Sequence, residues 1–545
     1  MCLNQLKMKL ERRNFIKFGG VVSGGLFMNP ALSSLDSQME SETQKVVLVP
    51  GKANKHTLDL GMGFNWFEHL GAGGHYARWN NYSLSSRVYP ELDDIQGWNV
   101  IEQGLDELNP GWIRFGMPPD PHIAADGSFV KGTVHFKHLE WLNAWATKRN
   151  KTILLDMFII PRYYEFPVPE GTQDPGMNIV NMAAADNRAY AGNFVVPMME
   201  YIIKDLKLET VRFFNPVNEP MEYGVYQTPG NNPPAMTHYV SMYNEIRKAL
   251  DEAGIGRKRM GLVGLDCGNP TKFILEQHAL GIDIDPFIEA YSVHHYNLKL
   301  DHLPAVYKPD TGSGYFNKGL NVVIEHDDKM FLEYARLREK PLWALEMGTF
   351  YYGKWTSPEG VASIDATITV AEGIIRALNM GISAFCIWSL MNPNDVDGHW
   401  AVMGHKNGQL VRFKYPFAVY GLLGNHFKPG ATVIPLMYEN GSKQWSPGEN
   451  VVADTVQIPE IKHVYATAIE NPGNEFTILI INDHSEDLAD VELRLPEHWK
   501  SDIQFTVSMV TKEKLNEKTG KIKAVNSRIT VQCPSFSLIG FKGVQ

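Results

Sequence analysis

Eight apolar runs, each followed by a stretch of helical character, recur along the middle of this chain. They lie at 60–66, 111–117, 152–160, 210–219, 259–266, 289–297, 341–348 and 382–392. The runs are continuous rather than alternating, as strands are when both faces of a parallel sheet are covered. Between them lie amphipathic segments such as "VHFKHLEWLNAWATKRN", "RAYAGNFVVPMMEYIIKDL", "MTHYVSMYNEIRKALDEAG" and "IDATITVAEGIIRALNMG". The last two end on Gly254 and Gly381, where a helix C-cap falls. Eight strand-then-helix units predict a (β/α)8 barrel, an α/β fold. An open doubly wound sheet would need a glycine-rich phosphate turn after an early strand, and the sequence has none there.

From Ala431 onward the pattern changes to short runs broken by turns, which predicts a C-terminal β-sandwich. The run "KVVLVP" at 45–50 precedes the barrel and has no place among its eight strands, so it is expected to join that sandwich. Before it, "ERRNFIKFGGVVSGGLF" pairs Arg12 with Arg13 ahead of a short glycine-rich apolar stretch. This resembles a twin-arginine leader, with Glu11 and Ile16 as departures, and is too short to span a bilayer. The expected organisation is a leader over 1–34, a linker and strand over 35–58, the barrel over 59–430 and the sandwich over 431–545. Such a leader implies export to the periplasm or beyond. No other segment reaches the ~18 uninterrupted apolar residues of a membrane span.

A net charge of -10 with no long basic run argues against a nucleic-acid partner. The four cysteines, Cys2, Cys267, Cys386 and Cys533, are far apart and form no C-x-x-C pair. With Cys2 in the leader, three remain, which argues against a disulfide framework or a zinc knuckle. Cys267 and Cys386 each end an apolar run and read as small buried residues.

In a (β/α)8 barrel the active site lies at the C-terminal ends of the strands. Those ends carry Arg114 on the second, Asn218 and Glu219 on the fourth, His294, His295 and Tyr296 on the sixth, Glu346 on the seventh and Trp388 on the eighth. Polar and charged types cost free energy beside a core unless they have partners or work to do. Glu219 and Glu346 face each other across the barrel, and retaining glycoside hydrolysis needs such a carboxylate pair.

The motifs "WIRFG", "NEP", "VHHY", "LEMG" and "IWSL" resemble, in order, the strand-end motifs of clan A glycoside hydrolases, families 5 and 30 above all. The resemblance covers roughly residues 59–427, and the sandwich after "FKPG" resembles that of families 30, 39 and 51. It implies a retaining hydrolase of β-linked glycosides with a carbohydrate substrate. Glu219 would be the acid/base and Glu346 the nucleophile. Asn218 would hold a sugar hydroxyl, Arg114 would pair with Glu346 and keep it ionised, and Tyr296 would bond Glu346. His294 or His295 would tune Glu219, and Trp388 would floor the sugar ring. Family 5 usually carries a histidine at the end of strand three, where this chain reads "LDMFII" with Phe158. The following "PRYYEFP" is closer to the loop of family 30.

Several residues carry two readings. His294 and His295 are adjacent and could suggest a metal pair, but consecutive strand residues point to opposite sides, so no metal is expected. Nor is a cofactor. "DVDGHW" (395–400) lacks the spacing of a calcium loop. Glu68, Glu165 and Glu222 read as rim or solvated residues. Trp66, Trp79, Tyr163 and Trp355 could line a sugar cleft or serve as structure. The alternative function is a carbohydrate-binding protein on an inactive hydrolase barrel. Retention of both glutamates favours the enzyme.

Overall fold

The computed structural model describes residues 44–51, 55–67, 90–157, 160–164, 183–220, 235–268, 270–299, 329–351, 363–391, 401–406, 408–439, 464–483 and 488–544. Within them the eight apolar runs are parallel strands: Gly61–Phe67, Trp112–Met117, Thr152–Met157, Val211–Asn215, Gly261–Cys267, Ala290–Lys299, Leu342–Tyr351 and Ala384–Ile387. The eighth pairs with both the seventh and the first, which closes the barrel. The lower lumen is filled by side chains, as a barrel of this size requires: Trp112, Leu154, Val263, Trp343 and Ala384 form one apolar cluster there.

Helices pack outside. Ile95–Leu108 starts at Asp94, whose carboxylate accepts the Gly97 N–H at 2.8 Å. Gly254 and Gly381 stand in the left-handed region just past their helices, with φ of 75° and 114°. The segment 187–205 reads as one helix in sequence but alternates α-helical turns with wider π turns at Ala191–Val195 and Tyr201–Asp205. Pro197, in the middle, has no N–H for the regular ladder.

The strands after the barrel form two sheets joined by Thr432–Tyr438. Its first half pairs with Val464–Asn471 and its second half with the N-terminal strand Gln44–Pro50. That N-terminal strand lies between Thr432–Tyr438 and Ala489–Arg494. One core lies between the two sheets: Val46, Leu48, Val491 and Ile529 from one meet Ile478, Ile480, Phe505 and Phe541 from the other. The C-terminal region is therefore a β-sandwich. Cys267, Cys386 and Cys533 are buried and stand in no disulfide among the described residues. No helix among the described residues is long and apolar enough to cross a membrane.

The helices Ile364–Met380 and Lys414–His426 both meet the sandwich, the second through Tyr415 OH donating to Lys512 O at 3.0 Å and His426 O accepting from Asn471 Nδ2 at 3.1 Å. Asn379 Nδ2 donates to Ala466 O at 2.9 Å, and the Arg376 guanidinium lies 4.7 Å from the Tyr465 ring centre. Glu372, fully buried, bonds Arg376 at 2.8 Å and Asp483 of the sandwich. Residues 43–545 form one compact unit. Deleting 431–545 would expose this buried ion pair and remove the sheets beside it. The truncated chain is expected to be insoluble, and a soluble, active barrel on expression would overturn that.

Candidate active site

Alternation along the barrel strands stacks a polar layer above the apolar one. Asn65, Arg114, Asp156, Asn215 and His294 lie on the lumen side of strands one, two, three, four and six, all nearly inaccessible to solvent. Two further carboxylates enter this layer through β-bulges. On strand five, two residues, Leu265 and Asp266, fall opposite the single Ser292. On strand seven, Leu345 is extra between Ala344 and Glu346, which pair with Val293 and His294. A bulge re-aims a side chain, and here it turns Asp266 and Glu346 inward.

Arg114 is the hub. Its Nη1 donates to Glu346 Oε1 at 2.6 Å and Asn65 Oδ1 at 2.9 Å. Its Nη2 reaches Asp156 Oδ1 at 2.9 Å, Asn218 Oδ1 at 2.6 Å and Asp266 Oδ2 at 2.7 Å. The guanidinium is fully buried, and burial alone would favour its neutral form. The Asp156, Asp266 and Glu346 carboxylates outweigh that and hold its pKa well above normal. Asn65 is itself fixed by donating to Leu345 O at 2.9 Å.

Glu219 follows the fourth strand with a left-handed backbone (φ 41°), and its N–H donates to Asp266 O at 3.0 Å. One oxygen of Glu219, one oxygen of Glu346 and one nitrogen of His294 all lie within 4.8 Å of one another. His294 Nδ1 is 2.8 Å from Glu219 Oε1 and 3.5 Å from Glu346 Oε2, while its Nε2 is 2.8 Å from Asp266 Oδ1. Three such donors have the spacing of a metal site, but both imidazole nitrogens face carboxylates. That is the setting of a charged imidazole rather than a ligating one. Burial works against the His294 charge, yet Glu346 and Asp266 raise its pKa well above normal.

The carboxyls respond unequally. Burial pushes Asp156 up to about 7, helped by Asp266 and opposed by Arg114. In Asp266 burial is overcome by Arg114 and His294, which hold it below the usual range. In Glu346 burial prevails over His294 and Arg114, and its carboxyl is raised. Arg114 thus pairs with Glu346 without bringing its pKa down to the ordinary value.

The structure brings Arg114, Asn218, Glu219, His294 and Glu346 together. Trp388 leaves the eighth strand with its ring 5.1 Å from Phe67, whose ring lies 5.1 Å from the Arg114 guanidinium. Gly116 makes room for that ring, since a Cβ there would stand 2.0 Å from Phe67. Trp66 is not brought to the carboxylates. Its neighbour Asn65 points into the lumen, so Trp66 faces outward, edge-on to Trp141 of the helix Val134–Arg149 at 6.1 Å. Of the two histidines it is His294 that meets Glu219. His295 is buried one step along the strand. Tyr296 lies in strand six, with its side chain outside the described residues, as are Phe158, Glu68, Glu165, Glu222, Trp79, Trp355 and the 395–400 loop. Tyr163 is about half exposed in the loop after strand three. Asp156 and Asp266 are site residues that the strand-end reading missed. An acidic residue inside "TILLDMF" was the available signal for the first.

No protein-family model and no curated protein matches the chain. Solved structures do. A GH30 endoxylanase from Clostridium papyrosolvens C71 is 11% identical with a TM-score of 0.58, covering 91% of this chain and 100% of that one. A GH51 arabinofuranosidase from Xanthomonas axonopodis pv. citri is 14% identical with a TM-score of 0.56, covering 92% and 99%. An alpha-L-arabinofuranosidase from Thermotoga maritima is 14% identical with a TM-score of 0.54, covering 92% and 100%. At these identities the likeness is one of fold, an eight-stranded barrel bearing a β-sandwich.

Proposed function

We propose that the chain is a retaining glycoside hydrolase acting on β-linked glycosides of an oligo- or polysaccharide. The spacing of the two glutamates carries this reading. Their nearest oxygens lie within 4.8 Å, whereas an inverting pair stands about 6.5–9.5 Å apart to admit a water between them. In the first step Glu346 attacks the anomeric carbon and Glu219 gives a proton to the leaving oxygen as the glycosidic bond breaks. In the second, Glu219 takes a proton from water, the water oxygen attacks the same carbon, and the ester to Glu346 breaks. Asn218, held through its Oδ1 by Arg114, turns its amide nitrogen to a substrate hydroxyl. Trp388 floors the sugar ring. A twin-arginine-type leader would carry the folded enzyme out of the cytoplasm.

The test is hydrolysis of a panel of aryl β-glycosides and polysaccharides, with the first-formed anomer read by NMR. Xylan and arabinofuranosides belong in the panel because the names of the structural neighbours include them. Retention of configuration is expected, and a first product of inverted configuration would sink the double displacement.

Glu219→Ala is expected to lose about 10²–10⁴-fold on poor leaving groups and far less on activated aryl glycosides. Azide should recover part of the rate by attacking the glycosyl-enzyme without needing a base. Equal loss on both substrate classes, with no azide effect, would move the acid/base role elsewhere.

Glu346 must be ionised to attack. Because its pKa is raised in the fold, kcat/KM should fall with decreasing pH at a value above the ~4.3 of an ordinary glutamate. An acid limb at or below that value, read from a pH–rate profile, would contradict the assignment.

A further inference from the structure

The bulge in strand five serves a single side chain. Leu265 and Asp266 both take left-handed backbone angles, φ 78° and 45°. Non-glycine residues hold that conformation only at a cost, and such outliers collect where geometry is used. Here the backbone N–H of Asp266 is pinned by donating to Ser292 Oγ at 2.9 Å, and that hydroxyl donates onward to Gly264 O at 3.1 Å. The Asp266 carbonyl accepts the Glu219 N–H. The Asp266 carboxylate gives one oxygen to Arg114 and Asn215 and the other to His294 Nε2. From the opposite ring nitrogen His294 meets Glu219.

We propose that Asp266 is the positioning residue of the acid/base: through His294 it keeps the proton that Glu219 delivers on the bond between His294 Nδ1 and Glu219 Oε1. This rests on Glu219 being the acid/base. Asp266 fixes an N–H on Nε2, so the imidazole can meet Glu219 only along Nδ1. One proton occupies that bond, on the glutamate or on the ring. On glycosylation it passes to the leaving oxygen while Glu346 bonds the anomeric carbon. On deglycosylation the pair regains a proton from the attacking water, whose oxygen displaces Glu346. No other reactant is required. Among the described residues, the charged and titratable groups facing His294 are Glu219 from the fourth strand's loop, Asp266 from strand five and Glu346 from strand seven. Arg114 and Asp156 lie behind them. The raised pKa of His294 agrees with a ring that holds its charge.

The experiment compares Asp266→Asn with the wild type on poor and good leaving groups across pH. Loss of the carboxylate weakens the hold on the proton, so the alkaline limb of kcat/KM should move to lower pH. Rates on alkyl glycosides or natural chains should drop on the order of 10²-fold, with less than about 10-fold on activated aryl glycosides. A loss independent of leaving group, or an unmoved alkaline limb, would overturn the proposal. Where Glu219→Ala still shows its own leaving-group dependence, such a result would leave the acid/base assignment standing. Should Asp266→Asn fold poorly, Ser292→Ala should shift the alkaline limb in the same direction by a smaller amount. Independently, nitrogen-15 NMR of the wild type should show His294 doubly protonated or sharing its Nδ1 proton at neutral pH. A ring with Nε2 unprotonated would overturn the proposal.

Discussion

Replacing Glu346 with glutamine is expected to lower kcat on the order of 10⁴-fold or more while leaving the fold intact. The amide oxygen can still accept the Arg114 Nη1 bond that Glu346 Oε1 accepts at 2.6 Å, so the geometry survives. It cannot form the glycosyl ester. Burial already disfavours the Glu346 charge, so removing it should hold or raise the melting temperature. The measurement is kcat on an activated aryl glycoside beside thermal melting. With Glu346→Ala, added azide should yield a glycosyl azide of inverted configuration, because azide then attacks the face that Glu346 vacates. A glutamine variant retaining a tenth of the activity would remove Glu346 from the nucleophile's role.

Arg114→Met should be the most destabilising single change in the barrel. It leaves Asp156, Asp266 and Glu346 buried without the cation they share. Breaking a buried pair from one side costs about 3–5 kcal/mol, and here three partners are stranded at once. The sign with pH follows from linkage. Without Arg114 these carboxyls bind protons more tightly in the folded than in the unfolded state, so the variant gains stability as pH falls. Asp156 is already raised to about 7 in the intact protein with Arg114 opposing the shift, so the upper end of that window in the variant lies above it, and the ~4 of unfolded carboxyls sets the lower. Denaturant unfolding at several pH values reads this directly. A variant as stable as the wild type at neutral pH would mean that Arg114 is not the charge balancing the layer.

The sequence made the barrel readable because parallel strands covered on both faces are continuous apolar runs, and all eight stand out as such. Arg114, Asn218, Glu219 and Glu346 were readable because each breaks or ends an apolar run with a group that is costly to bury. Asp156 breaks its run too, inside "TILLDMF", with the same signature of a costly buried charge. Asp266 had no such signature. In "LVGLDCG" it reads as a strand-end turn, and only the bulge, which depends on the register against Ser292, turns it inward. Trp66 shows the reverse error. An aromatic at a strand's end resembles a sugar platform, but strict alternation beside Asn65 sends it outward to the helices.

The seating of Gln44–Pro50 between Thr432–Tyr438 and Ala489–Arg494 also sets a timetable for the ribosome. Both flanking partners are translated after the barrel, so the first strand emerges with its neighbours still unmade. At about 5–20 residues per second it waits roughly 20–90 s for them. Through that interval Val46 and Leu48 have no sheet edge to join, and the nascent chain must be kept from pairing that strand elsewhere. The two ends of the chain then zip together last, so any segment fused ahead of residue 44 is anchored to a finished body only once the C-terminal strands have been made.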